Sequence, residues 1–173
     1  GYGQWNWSRS QALQPKMILL MTATETYPNL REGGTISTSP TLQRGGKDFQ
    51  EGYGRVNLDA AVDALLKTYV VGNNVTDNLG SPPKLTDISV VGQRLAWARQ
   101  VSLKSGNIYN FTLTVPAGAD YDLYLYNSTG TNYGEPSIMA KSTNAGPGNE
   151  QLCVTAPYGG TYYVVVKRAT EST

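Results

Sequence analysis

The sequence predicts a mostly β protein, an antiparallel β-sandwich preceded by two helices. Three observations carry that prediction. From Leu85 onward apolar and polar residues alternate with a period of two, as strands with one covered and one wet face require. Turn signals rich in Gly, Asn and Pro recur there every ~8 to 14 residues, the rhythm of short sandwich strands. Ahead of that region, one segment is apolar on every side and another repeats apolar residues at three- and four-residue intervals, both helical patterns.

Composition narrows the function classes. The 173 residues admit one domain, or a small domain with a fragment of another. Charged residues make up 16%, while 12 Tyr and 19 Gly fit a β-rich, turn-rich chain. A formal net charge of +1 supplies no field for capturing nucleic acid or anionic lipid, so neither is an expected partner. The longest apolar run, Met17 to Met21, falls far short of the ~20 residues of a membrane span. The chain opens GYG without Met or a signal peptide and reads as a piece of something longer. Its one cysteine, Cys153, cannot form an internal disulfide. Sequons at Asn6, Asn74, Asn110 and Asn127 would permit glycosylation in a secreted protein.

Taken in order, residues 1–10 read as a loop. The following QALQPKMILLMTATE reads as a helix that starts near Ala12, because Pro15 belongs in a first turn, where its absent N–H is not missed. Residues 17–21 then need cover on all sides, from an upstream chain, a partner copy or the sandwich itself. Residues 27–51 lack any sustained period and read as a long loop. A second helix follows Asn57, whose short amide suits an N-cap. In it Leu58, Ala61, Val62 and Leu65 form one apolar stripe, with Asp59 and Lys67 placed to suit the helix dipole. Residues 69–84, dense in Asn, Gly and Pro, read as a linker.

Strands are expected at Asp87 to Val91, Ala96 to Leu103, Tyr109 to Val115, Tyr121 to Tyr126, Ser137 to Ser142, Glu150 to Thr155 and Thr161 to Val166. The last of these is apolar on both sides, which predicts a central strand. Tyr124, Tyr126 and Tyr133 are expected to be exposed, either as a ligand-stacking patch for sugars or a protein surface, or as ordinary strand formers.

Two stretches in the first part carry a resemblance. GYGRVN, Gly52 to Asn57, followed by AAV, is similar to the closing segment of the subtilisin-like serine protease (subtilase) domain. KMILLMTA, Lys16 to Ala23, is similar to the subtilase helix that follows the catalytic serine helix. The second part resembles the pre-peptidase C-terminal domain, a jelly-roll-like sandwich appended to secreted proteases. That likeness rests on DYDLYLY (Asp120 to Tyr126), GNEQ (Gly148 to Gln151) and APYGGTYYVVV (Ala156 to Val166).

The resemblance implies a C-terminal fragment of a secreted endopeptidase; the alternative is a self-contained, non-catalytic secreted β-sandwich module that binds a carbohydrate or protein surface, with the helical front end as a docking arm. Residues 1–68 would end the α/β catalytic domain, 69–84 would link, and 85–173 would form the jelly-roll-like module. It also implies that the upstream catalytic domain is a partner, that proteins or peptides are the parent's substrates, and that calcium binds. GTISTSP, Gly34 to Pro40, imitates the family's nucleophile segment but has Ile36 where the serine would stand, and it lies on the wrong side of the first helix.

The chemistry within the chain is limited by the absence of histidine. No Ser/His/Asp arrangement can assemble from these residues; the subtilase resemblance implies that the catalytic Asp, His and Ser lie upstream of Gly1. The common zinc sites lack their ligands as well. Cys153 has no activating neighbour in sequence and reads as a structural strand residue. For calcium the candidate oxygen ligands are Asp120, Asp122 and Glu150, at strand ends; the alternative is that Asp120 shapes a turn and Asp122 faces solvent.

Overall fold

The computed structural model describes residues 9–24, 52–77, 95–117, 119–144 and 148–168. The loop expected over 27–51, GTISTSP, the linker beyond Asp77, the strand expected at 87–91 and Asn6 lie outside them.

Helix α1 spans Arg9–Met21, so Arg9 and Ser10 are helical rather than loop and the helix starts about one turn earlier than Pro15 implied. The proline therefore sits in the interior, where its ring removes the bond that residue 15 would give to the carbonyl of Gln11. Packing of the following turn compensates: Met17, Ile18 and Met21 are buried. Beyond the helix, Thr24 pairs with Arg55 through two backbone hydrogen bonds of 2.9 and 2.7 Å. That pairing sets the end of α1 beside the GYGRVN turn, whose Gly52 and Gly54 adopt φ of 68° and 87°, a region that glycine enters without strain. Helix α2, Leu58–Leu66, starts where expected: the Asn57 side chain accepts from the Ala60 N–H at 3.0 Å.

Among the described residues seven strands follow: β1 (Thr68–Tyr69), β2 (Ala96–Leu103), β3 (Ile108–Leu113), β4 (Tyr121–Asn127), β5 (Ile138–Ser142), β6 (Glu150–Thr155) and β7 (Gly160–Arg168). β2 and β6 have the bounds read from the sequence. Five strands form one sheet in the order β1-β2-β7-β4-β5, and β3 pairs with β6 in a second, two-stranded sheet. β7 is central, as its two apolar faces predicted. The larger sheet is mixed rather than wholly antiparallel, because β1 leaves α2 and runs parallel to β2, Thr68 opposite Gln100.

Both faces of the larger sheet's inner strands, β2, β7 and β4, are buried, while the edge strands β1 and β5 are partly exposed. Trp97, Val101, Leu123, Leu125, Val164 and Val166 form one core with Phe111, Leu152 and Val154 of the small sheet. Their neighbours in sequence, Ala98, Tyr124, Tyr126, Tyr163 and Val165, point the other way and form a second core with Met17, Ile18, Met21, Ala61 and Ala64 of the helices. The chain's own sheet thus covers Met17, Ile18 and Met21, while Leu19 and Leu20 stay partly exposed, so the cover expected on all sides of residues 17–21 is only partly supplied. Burying this second face removes roughly 25 cal/mol of free energy per Å² of apolar surface covered.

Candidate functional site

One polar group within this buried architecture lies where α2 meets β2. Asp63 and Arg99 are both buried, and Arg99 Nη1 donates to Asp63 Oδ2 at 2.6 Å. The same guanidinium donates to the Ala98 carbonyl at 2.8 Å, lies 3.5 Å from Asp77 Oδ2 and stacks 4.7 Å from the Trp97 ring centre. Lys67 closes the group, with Nζ 2.9 Å from Asp63 Oδ1 one turn along the helix. Burial by itself pushes the Asp63 carboxyl up; the hydrogen bond from Lys67 and the charge and hydrogen bond of Arg99 outweigh it and hold it below its ordinary value. Sequence reasoning missed this group, although Arg99 as the lone charge in the run AWARQV was the available signal.

A second buried group lies under the helices on β4 and β7. Asp122 is fully buried, accepts from the Tyr124 hydroxyl at 2.8 Å and faces Lys167 across the strands. Lys167 Nζ lies 5.9 Å from the Tyr124 ring centre. Burial first, then the neighbouring Tyr53 and Asp122, push the Tyr126 hydroxyl well above its ordinary value of 10.0.

The expected site residues fall as follows. Asp120, Asp122 and Glu150 are all buried, so Asp122 does not face solvent. Glu150 is held by the Ser142 hydroxyl, by the Asn144 backbone N–H at 3.2 Å and by Asn144 Nδ2 at 3.1 Å. Among the described residues, no three His, Cys, Asp or Glu gather into a group that could hold a metal ion. The tyrosine patch requires correction. Tyr124 and Tyr126 are both 0% exposed, because the helices cover their face of the sheet, and Tyr133 alone is open, at 73%. Cys153 is exposed on β6, opposite Asn110 of β3. Asn74 and Asn110 are exposed, whereas Asn127 accepts from the Tyr158 hydroxyl and donates to Ser137.

The apolar stripe of α2 also requires correction. Of its members only Ala61 is buried; Leu58 is 66% exposed, and Val62 and Leu65 are about half exposed, with Leu66 beside them at 77%. The helix lays Ala60, Ala61, Asp63 and Ala64 on the sheet instead. Small side chains allow close approach, and the Asp63 pair fixes the rotation about the helix axis. The oily side is thereby turned outward, an unusual disposition for a helix in a self-contained unit.

These features define a mostly β protein whose mixed sheet is covered on one face by a two-stranded sheet and on the other by two helices. No helix among the described residues is long and apolar enough to cross a membrane. Neither the models of known protein families nor the curated proteins searched provide a match to this chain.

Proposed function

We propose that this chain is the C-terminal part of a secreted subtilisin-like serine endopeptidase. In this reading α1 and α2 close the α/β catalytic domain and the two sheets are a jelly-roll-like β-sandwich appended to it. The parent hydrolyses peptide bonds of protein substrates through an acyl-enzyme, with the catalytic Asp, His and Ser supplied upstream. Residues 1–173 contribute scaffold and no member of that group.

The observation that carries the reading is the outward apolar face of α2. Leu58, Val62, Leu65 and Leu66 form a surface that is costly to leave in water, and the upstream remainder of the catalytic domain would cover it. The pairing of Thr24 with Arg55 lends support, since it sets side by side the two segments that resemble subtilase elements. The test is a serine-reactive fluorophosphonate applied to this chain and to the polypeptide extended upstream. Labelling of the extended polypeptide alone is expected. An extended polypeptide that stays unlabelled, and lacks any serine whose replacement abolishes peptide hydrolysis, overturns the reading.

A further inference from the structure

The side of the larger sheet that faces away from β3 and β6 is shaped to seat helices. Tyr124, Tyr126 and Tyr163 line it and are essentially inaccessible. Such a face would be wet and sticky if bare; here it is filled by methionines of α1 and alanines of α2. Apolar filling alone does not fix how a helix lies, because it has no direction. Polar contacts add that direction, and each helix has its own set.

For α2 the set is the Asp63 to Arg99 pair together with Gln100 Nε2, which donates to the Leu65 carbonyl at 2.8 Å. For α1 it is Gln14 Nε2 donating to the Tyr163 hydroxyl at 3.2 Å and Lys16 Nζ donating to the Tyr133 carbonyl at 2.6 Å. Tyr133 lies in the connection between β4 and β5, which presses on α1 from the side. At Gly134 of that connection φ is +74°, and an added Cβ would stand 3.1 Å from Leu13 Cδ2 and 3.2 Å from Leu13 Cβ. The close approach is available only to a residue without a side chain.

We propose that the β half is an intramolecular clamp. Its helix-facing sheet surface seats α1 and α2 as one jaw, and the β4 to β5 connection lies against α1 as the other. The identity of what is clamped, the helical end of a protease domain, rests on the function proposed above; the clamp itself rests on these contacts. The role it assigns to the β half is retention of the helices in one position, instead of capture of sugar or substrate.

The test is amide hydrogen exchange read by mass spectrometry on the full 173-residue chain. Gly134→Val is expected to speed exchange over residues 16–22 by about tenfold or more, while β3 and β6 keep their rates. Should that variant fail to fold, Lys16→Met and Gln14→Ala leave the connection's backbone untouched and are each expected to speed exchange over the same residues severalfold. Unchanged exchange in α1 for all three variants, or equal acceleration in α1 and in β3 and β6, overturns the clamp. In the polypeptide extended upstream, Gly134→Val is expected to shorten the half-life of activity on heating without lowering the initial rate in the cold. An extended polypeptide without activity refutes the protease reading and leaves the exchange result standing; unchanged α1 exchange refutes the clamp whatever the activity.

Discussion

On one face of the five-stranded sheet Leu123, Leu125, Val164 and Val166 meet the small sheet largely through aliphatic side chains; on the other Tyr124, Tyr126 and Tyr163 meet two helices through rings, alanines and polar contacts. The same strands serve both, residue by residue in alternation. The first face gains most from hydrocarbon removed from water, which is indifferent to direction. The second buries tyrosine rings, methionines and alanines and adds an ion pair and side-chain hydrogen bonds, which dictate how α1 and α2 lie. Cohesion and orientation are thereby divided between the two sides of one sheet.

The largest expected effect breaks the aliphatic side. Leu125→Ala should destabilise the chain by about 4 kcal/mol, the cost of lost transfer plus a cavity at a fully enclosed position. Urea unfolding followed by tyrosine fluorescence measures it, and a loss below about 1 kcal/mol would mean that this face is loosely packed.

Next comes the directional side. Asp63→Ala leaves Arg99 buried without its nearest anion and should cost about 3 kcal/mol. Replacing both partners, Asp63→Ala with Arg99→Met, should cost less than the single change, because no uncompensated charge is left. A double variant worse than the single would show that the pair contributes more than mutual neutralisation, and a double-mutant cycle reads that difference.

A smaller effect concerns how α2 begins. Asn57→Ala removes the acceptor for the Ala60 N–H and should cost about 1 kcal/mol. Thermal unfolding checks it, and Asn57→Ser should recover most of the loss.

The smallest effect is that of acid. Asp63 is held below its ordinary value of 3.8, so the folded chain binds its proton less readily than the unfolded one. Its stabilisation is therefore complete above pH 3.8 and is lost as pH falls through the lower folded value. The stability difference between the native chain and Asp63→Asn should stay level from neutral pH down to about 5 and shrink below 3.8. A difference that shrinks already between about pH 7 and 5 would assign the titration to another group.

Local pattern was enough for β2 to β7, for the start of α2 and for the central place of β7; the two-residue β1 falls where a linker was read, and the strand expected at 87–91 lies outside the described residues. Alternation in AWARQVSL and EQLCVT marked β2 and β6 to the residue, and the asparagine before LDAAV marked the N-cap. These features depend on neighbours in sequence, so the chain alone determined them. The start of α1 was not legible in the same way, since Pro15 pointed to a first turn and packing of Met17, Ile18 and Met21 tolerated it inside.

The roles of surfaces were decided only in three dimensions. Tyr124 and Tyr126 alternate like solvent-side residues, yet two helices cover them; Leu58, Val62 and Leu65 repeat like a core stripe, yet they face outward. Periodicity states that a helix has an oily side and a small-residue side, and it cannot state which of them meets the sheet. The side that meets the sheet is the one that carries Ala61, Ala64 and Asp63, and there the buried carboxylate meets its counter-charge on Arg99, 36 residues further along the chain.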